Sequence, residues 1–274
     1  MTTGYVNGKF VDINSPTIIA SDIGFLRGYG VYEGITSYNG KVFHLKDHYE
    51  RLQKSAGFLN IPVQISFDEL EVVLQKLIAD NGFARTNFRL ILTGGLSVEG
   101  IGFEKNTSTL AIIPQEHHSL TADAYKKGVS VMLDDFQREA AGYKTLNYIE
   151  AVRLQEKRKA KGAAEIIYHH NGKLLEASTS NVFIVKNNVV ITPKENILEG
   201  ITRKIVLELA RKAGYAVEER DVSMEEFFAA DEVFITASFK EIVPVVKADD
   251  TIVGGGVPGP ITKALTEEFK KLTH

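Results

Sequence analysis

Lys144 lies in Tyr143-Lys144-Thr145-Leu146-Asn147-Tyr148, where a strand-rich region gives way to a helix-like periodicity. Aromatic neighbours on both sides would desolvate its ammonium and lower its pKa, the state needed by an amine that condenses with a carbonyl. Glu176 ends an apolar strand in Leu174-Leu175-Glu176-Ala177-Ser178-Thr179-Ser180-Asn181. Strand alternation can turn it inward, where it would need a cationic partner. Two further stretches suit an anion. Leu198-Glu199-Gly200-Ile201-Thr202-Arg203 enters an apolar-periodic helix through Gly200. Free N–H groups, the positive end of the helix dipole and the Thr202 hydroxyl make a phosphate site there, although an ordinary helix start has the same pattern. Thr236-Ala237-Ser238 is small and hydroxylic just after a strand, and Arg51, on a helix near Phe43, can supply a charged partner.

Other motifs carry less. Gly254 to Gly259 matches G-x-G-x-x-G, but only about fifteen residues follow, too few for the βαβ unit of a dinucleotide fold. Ser97 misses the nucleophile elbow by one glycine. His44 and His48 are spaced i, i+4 but lack a glutamate between them and a third ligand, so no metal site is expected. There is no cysteine, which excludes disulfides, thiolate metal centres and a cysteine nucleophile. Lys+Arg 32 against Asp+Glu 35, without a run of one sign, argues for neither a nucleic-acid nor a membrane partner. No leader-like or membrane-spanning stretch is present, and a soluble, cytoplasmic protein is expected.

The elements that would position these residues are marked by turns and caps. Asn7-Gly8, Asn39-Gly40, Asn171-Gly172 and Asn187-Asn188 each fold back two apolar segments, two in the first fifth of the chain and two in the second half, which predicts two sheets. Helices are expected over His44 to Gly57, after the capping box Ser66/Glu69, over Tyr148 to Lys161, over Ile201 to Ala213, after Ser223/Glu226, and over Ile261 to Leu272. Strands are expected over Phe88 to Thr93, Thr109 to Ile113 (ended by Pro114), Val129 to Leu133, Val233 to Thr236 and Ile242 to Val246. The polar stretch Gln115 to Asp123 separates the halves. The pattern is α+β in two domains: a small N-terminal one over 1–118, a linker over 119–123 and a larger C-terminal one over 124–274.

Taken in order, these segments resemble the class IV (fold type IV) pyridoxal-phosphate aminotransferases, a family that includes branched-chain aminotransferases, D-amino-acid aminotransferases and aminodeoxychorismate lyase. The resemblance runs through Gly24-Phe25-Leu26-Arg27-Gly28-Tyr29-Gly30-Val31-Tyr32-Glu33-Gly34, His44-Leu45 with His48 and Arg51-Leu52, and Lys144 with Asn147-Tyr148. It continues through Glu176 with Ser180-Asn181-Val182-Phe183 to Ile197 through Arg203. It implies a two-domain fold like that of D-amino-acid aminotransferase, pyridoxal 5′-phosphate as cofactor near the domain interface, and a homodimer. Lys144 would hold the cofactor covalently and carry the proton between the substrate Cα and the cofactor; Glu176 would pair with the ring nitrogen. Arg51, Gly200, Ile201, Thr202 and Ser238 would hold the phosphate, Leu198 would pack on the ring, and Tyr148 would approach the phenolic oxygen.

Substrates implied are an amino acid and a 2-oxo acid. Tyr32-Glu33-Gly34 and Arg89 resemble the branched-chain branch, which is the expected activity. The D-amino-acid branch carries an Arg-x-His pair where this chain has Gly94 to Gly100, so that carboxylate trap is absent. Arg27, Arg89 and Lys240 are the candidates for binding the substrate carboxylate, with Tyr32 beside them. A D-amino-acid aminotransferase, a lyase acting on an aminodeoxychorismate-like substrate and a non-catalytic dimeric binding protein are the alternatives; retention of both Lys144 and Glu176 weighs against the last.

Overall fold

The computed structural model describes residues 2–15 and 18–273. The chain forms two compact units. The first holds the residues up to His118 together with Tyr143–Asn147; the second holds Ser119–Gly142 and the chain from Tyr148 onward.

In the first unit the order is β1 (Thr3–Val6), β2 (Lys9–Asp12), α1 (Ile23–Arg27), β3 (Gly30–Tyr38), β4 (Lys41–Val42), α2 (Leu45–Phe58), α3 (Phe67–Asn81), β5 (Thr86–Thr93), β6 (Ser97–Val98), β7 (Gly102–Phe103) and β8 (Thr109–Glu116). Six strands make an antiparallel sheet in the order β2-β1-β8-β5-β3-β4. Asn7-Gly8 and Asn39-Gly40 turn its hairpins with positive φ at both residues, as expected of such pairs. One face is apolar: Val31, Ile35, Phe88, Leu90, Leu92, Leu110 and Ile112 pack with Leu52 and Ala56 of α2 and with Leu70, Leu74 and Leu77 of α3. The capping box Ser66/Glu69 starts α3. Strand β8 does not stop at Pro114 but runs to Glu116. β1 pairs with it only at Ala111 and Ile112, so beyond those residues one side of β8 is a free edge where a missing N–H breaks no ladder.

The second unit continues with α4 (Ala122–Lys127), β9 (Val129–Asp135), α5 (Ile149–Arg153), α6 (Gln155–Ala160), β10 (Glu165–His170), β11 (Lys173–Ala177), β12 (Asn181–Lys186), β13 (Val189–Thr192), α7 (Ile201–Lys212), β14 (Ala216–Glu219), β15 (Val222–Ser223), α8 (Met224–Phe228), β16 (Glu232–Ala237), β17 (Glu241–Ala248), β18 (Thr251–Ile252) and α9 (Pro260–Thr273). A mixed sheet runs β14-β13-β12-β16-β17-β9-β10-β11-β15, with β18 on β17. Strands β9 and β10 are parallel because helices α5 and α6 carry the chain across between them. The helix expected over Tyr148 to Lys161 is two short helices broken at Leu154, whose side chain is buried with Met132, Ile166 and Tyr168. The stretch expected to link the domains is partly ordered: Thr121 caps α4, and the unit boundary falls after His118. Tyr143–Asn147, expected in the C-terminal domain, groups with the first unit. No helix among the described residues is long and apolar enough to cross a membrane.

Candidate active site

Tyr143–Asn147 is docked by backbone on the edge of β3. That edge is open at residues 30–32 because β4 pairs only with Ser37 and Tyr38. Tyr32 N–H donates to Lys144 O at 2.9 Å, Leu146 N–H donates to Gly30 O at 2.9 Å, and Val31 and Thr145 form an antiparallel bridge. Lys144 N–H donates to Ser55 Oγ of α2 at 3.1 Å. Tyr143 stacks on Phe58, ring centres 4.0 Å apart, at the end of the same helix. A Cβ on Gly30 would lie 2.7 Å from both Leu92 O and Leu146 Cδ1, so this contact needs glycine.

Held this way, Lys144 directs its ammonium to Tyr32: Nζ donates to Tyr32 Oη at 3.1 Å and stands 4.3 Å from the ring centroid. Tyr32 of β3 is thus an aromatic neighbour of the amine. Alternation puts Tyr32, Gly34 and Thr36 on the sheet face opposite the apolar core. Arg89, directly across from Gly34, shares that face; it is exposed and has no hydrogen-bond or ion-pair partner among the described residues. Arg27 is exposed on α1, and among the described residues its guanidinium donates to the neighbouring Leu26 O alone.

On the core face, Glu33 is fully buried. Arg51 holds it with two hydrogen bonds, Nε to Oε1 at 2.8 Å and Nη2 to Oε2 at 2.7 Å, and His48 Nδ1 lies 2.8 Å from Oε2. Burial alone would raise the carboxyl's pKa; the charge and hydrogen bonds of Arg51, aided by His48, outweigh it and hold Glu33 at about 2. Burial pushes His48 below the ordinary histidine value despite Glu33, so Arg51 is the charged partner and His48 a neutral donor. His44 pairs with Asp47 instead. No group of metal-binding type occurs among the described residues.

In the second unit, Glu176, next to last in β11, is buried, as are Leu174, Leu175 and Ala177 beside it, so the strand is covered on both faces rather than alternating. Arg138 Nε donates to its Oε1 at 2.8 Å, and Leu198 N–H donates to Oε2 at 2.9 Å. Asn181, the first residue of β12, donates from Nδ2 to Leu198 O at 2.7 Å, which fixes the loop leading into α7. That helix has Gly200 at its N-cap with no side-chain cap and no acidic residue in its first turn. Its first backbone bond is Lys204 N–H to Gly200 O, leaving the N–H groups of Ile201 and Thr202 without helical acceptors. Thr236, across from Asn181 on β16, has a buried Oγ1 with no partner. The hydroxyls of Thr202 and Ser238 have no hydrogen-bond partner among the described residues either. Gly200 cannot be replaced quietly, since a Cβ there would lie 2.0 Å from Asn181 Oδ1.

These features fit a phosphate monoester: uncapped N–H groups, unpartnered hydroxyls and a helix entry without a side chain. The ion pair Arg138–Glu176 adds a fixed carboxylate for a ring nitrogen. Lys240, a candidate for the substrate carboxylate, is half-buried and contacts the buried Glu165. Tyr148 caps the start of α5. Arg138, Ser55 and Glu165 have no motif of their own, whereas Glu33 and His48 stand in segments that carry the family resemblance.

Residues 30–248 match the family described as amino-transferase class IV. The chain is 34% identical over 274 residues to a Methanocaldococcus jannaschii protein assigned as a branched-chain-amino-acid aminotransferase, covering 98% of this chain and 95% of that one. It is 31% identical over 278 residues to a D-alanine aminotransferase of Listeria monocytogenes, covering 96% and 93%. The crystal structure of the Escherichia coli branched-chain amino acid aminotransferase matches it with a TM-score of 0.93 at 29% identity, over 99% of this chain and 94% of the other.

Proposed function

The chain belongs to the class IV aminotransferases, and on that premise we propose that it moves an amino group between an amino acid and a 2-oxo acid, with branched-chain amino acids as donors. The observation that carries this is the pairing on one sheet face of Lys144, its ammonium on Tyr32, with the exposed and unpartnered guanidinium of Arg89. An amine that must reach a substrate Cα and a cation that must meet a substrate carboxylate are both presented there.

Pyridoxal 5′-phosphate, when bound, supplies a carbonyl for the substrate amine and an electron sink for its Cα. Lys144 Nζ takes and returns the Cα proton, oriented by Tyr32 Oη. Glu176 offers a carboxylate to the ring nitrogen, its direction fixed by Arg138 and the Leu198 N–H. The Ile201 and Thr202 N–H groups, the Thr202 and Ser238 hydroxyls and the Arg51 guanidinium would hold the phosphate, and Gly200 would leave room for it at the helix entry. Leu198 would pack on the ring and Tyr148 would approach its phenolic oxygen. Arg89 orients the substrate carboxylate; Arg27 is the second cation for it, and Lys240 is withdrawn from that role by Glu165. A cytoplasmic homodimer completes the proposal. Exposed apolar side chains support it in each unit: Phe25 and Ile101 in the first, Ile149 and Val152 in the second.

The test is the near-visible spectrum of the purified protein incubated with pyridoxal 5′-phosphate. A band that L-leucine removes and a 2-oxo acid restores is expected. Preference for D-alanine over L-leucine would move the enzyme to the D-amino-acid branch, the second reading that the Listeria relative favours. Release of pyruvate from an aminodeoxychorismate-like substrate without an acceptor would make it a lyase. A protein that stays colourless ends the proposal. In the active enzyme, Arg89→Met is expected to raise KM for the amino donor roughly tenfold or more, the loss of a charge-assisted contact. An unchanged KM would remove Arg89 from the substrate site.

A further inference from the structure

Glu165 opens β10 almost fully buried and carries an unusual number of donors. Its Oε1 accepts from the Ser178 hydroxyl and from Ile166 N–H at 3.1 Å. Its Oε2 accepts from Thr179 Oγ1 at 2.6 Å, Ser180 Oγ at 3.1 Å and Lys240 Nζ. Lys240 Nζ also reaches Thr179 Oγ1 at 2.7 Å. Burial works against this charge, and Lys240 with the hydroxyls overcomes it, holding the carboxyl at about 2.

The partners belong to two turns. Ser178, Thr179 and Ser180 form the tight connection between β11, which carries Glu176, and β12. Lys240 lies in the connection between β16 and β17, closed by pairing of Ala237 with Glu241; Glu241 has φ of 60°. Lys240 N–H donates to Ala237 O at 3.2 Å, and Lys240 O accepts from Tyr125 Oη at 3.2 Å. Lys240 is thus tethered by side chain and backbone, and Ser238 sits two residues away in the same short loop. A buried ion pair is a weak device for stability, because its desolvation offsets most of its attraction. It is an effective device for fixing one geometry.

We propose that Glu165 and Lys240 form an internal clamp that sets the Ser238 turn for the cofactor phosphate, making Lys240 a positioning residue rather than a substrate cation. This rests on the function proposed above. The clamp also ties that turn to the one following Glu176, so one buried carboxylate couples the loop that meets the phosphate to the strand end that meets the ring nitrogen.

Full-length protein stripped of cofactor is titrated with pyridoxal 5′-phosphate and, separately, with pyridoxal, which lacks the phosphate. Near-visible absorbance is followed in both. Lys240→Met is expected to raise the dissociation constant for pyridoxal 5′-phosphate by roughly tenfold to a hundredfold. Pyridoxal affinity stays within about twofold of wild type, and Lys240→Arg restores most of the loss. KM for the amino donor at saturating cofactor is unchanged. A raised KM with unaltered cofactor affinity would return Lys240 to the substrate carboxylate and overturn the clamp. If Lys240→Met strands the Glu165 charge and does not fold, the double variant Glu165→Gln, Lys240→Met removes both charges. It is expected to bind pyridoxal 5′-phosphate as weakly, and wild-type affinity in it overturns the clamp. Wild-type protein that takes up neither aldehyde would defeat the proposed function and the clamp with it. Uptake by wild type with unaltered affinities in all variants defeats the clamp alone.

Discussion

Lys144→Ala is expected to lower the transamination rate by roughly 10⁴-fold or more, since the proposed function gives both covalent attachment and proton transfer at Cα to this one amine. Thermal stability should move by no more than about 2 °C. The separation follows from how the residue is held. The contacts that dock 143–147 on β3 use Lys144 N–H and O, the Leu146 N–H and the Tyr143 ring, and none needs the lysine side chain beyond Cβ. The substitution takes away the ammonium's hydrogen bond to Tyr32 Oη and its place over the Tyr32 ring, and leaves the backbone bonds and the Tyr143 stack in place. Steady-state rates with L-leucine and a melting curve, measured on the same preparation, check both halves. A variant that keeps its rate would show that another amine does the chemistry; one that unfolds would show that the ammonium on Tyr32 supports the unit.

Glu33→Ala carries the largest expected loss of stability, about 3–5 kcal/mol, because it strands the Arg51 guanidinium in a buried place with no carboxylate. Cofactor affinity should fall as well, since Glu33 fixes the direction of Arg51. The pH dependence has a definite sign. The Glu33 carboxyl is held at about 2 in the fold, against 4.5 for the ordinary glutamate. Its contribution is therefore complete above about pH 4.5 and is lost as pH falls from there toward 2, roughly 3 kcal/mol in all. Glu165, also at about 2, acts over the same window. His48 adds to the loss earlier: its folded pKa lies below 6.5, so the unfolded chain takes up the proton first as pH falls through that value. Unfolding followed by circular dichroism from pH 7 to 2 tests this. Glu33→Gln should be less stable at pH 7 and lose less on acidification than wild type; equal slopes would remove Glu33 as the acid-sensitive group.

Local rules carry most of the element pattern. The four Asn-containing turns, the capping boxes at Ser66 and Ser223, and the stop at Gly214 are set by φ angles and hydrogen bonds within a few residues, so they are visible in the string of letters. What is not visible depends on distant chain. The break at Leu154 follows a burial contact with β9 and β10. The continuation of β8 past Pro114 depends on where β1 stops pairing. The same division holds for the site. Lys144, Glu176 and the entry to α7 stand in legible motifs, whereas Arg138, Ser55 and Glu165 act through partners 38, 89 and 75 residues away. Lys240 shows the same: a lone cation after a strand does not reveal its carboxylate, which lies on another strand.

The docking of 143–147 on β3 also has a meaning for synthesis. The first unit is discontinuous in the chain, and as the protein emerges from the ribosome residues up to 118 present β3 paired with β5 on one side and with its other edge open at residues 30–32. That bare strand edge is a template for the wrong partner until residue 147 has been made and the lysine segment seats itself. The lysine to which the proposed function gives the chemistry therefore arrives on the piece of chain that finishes the first unit, and a nascent chain stalled before it would lack that amine and be prone to associate.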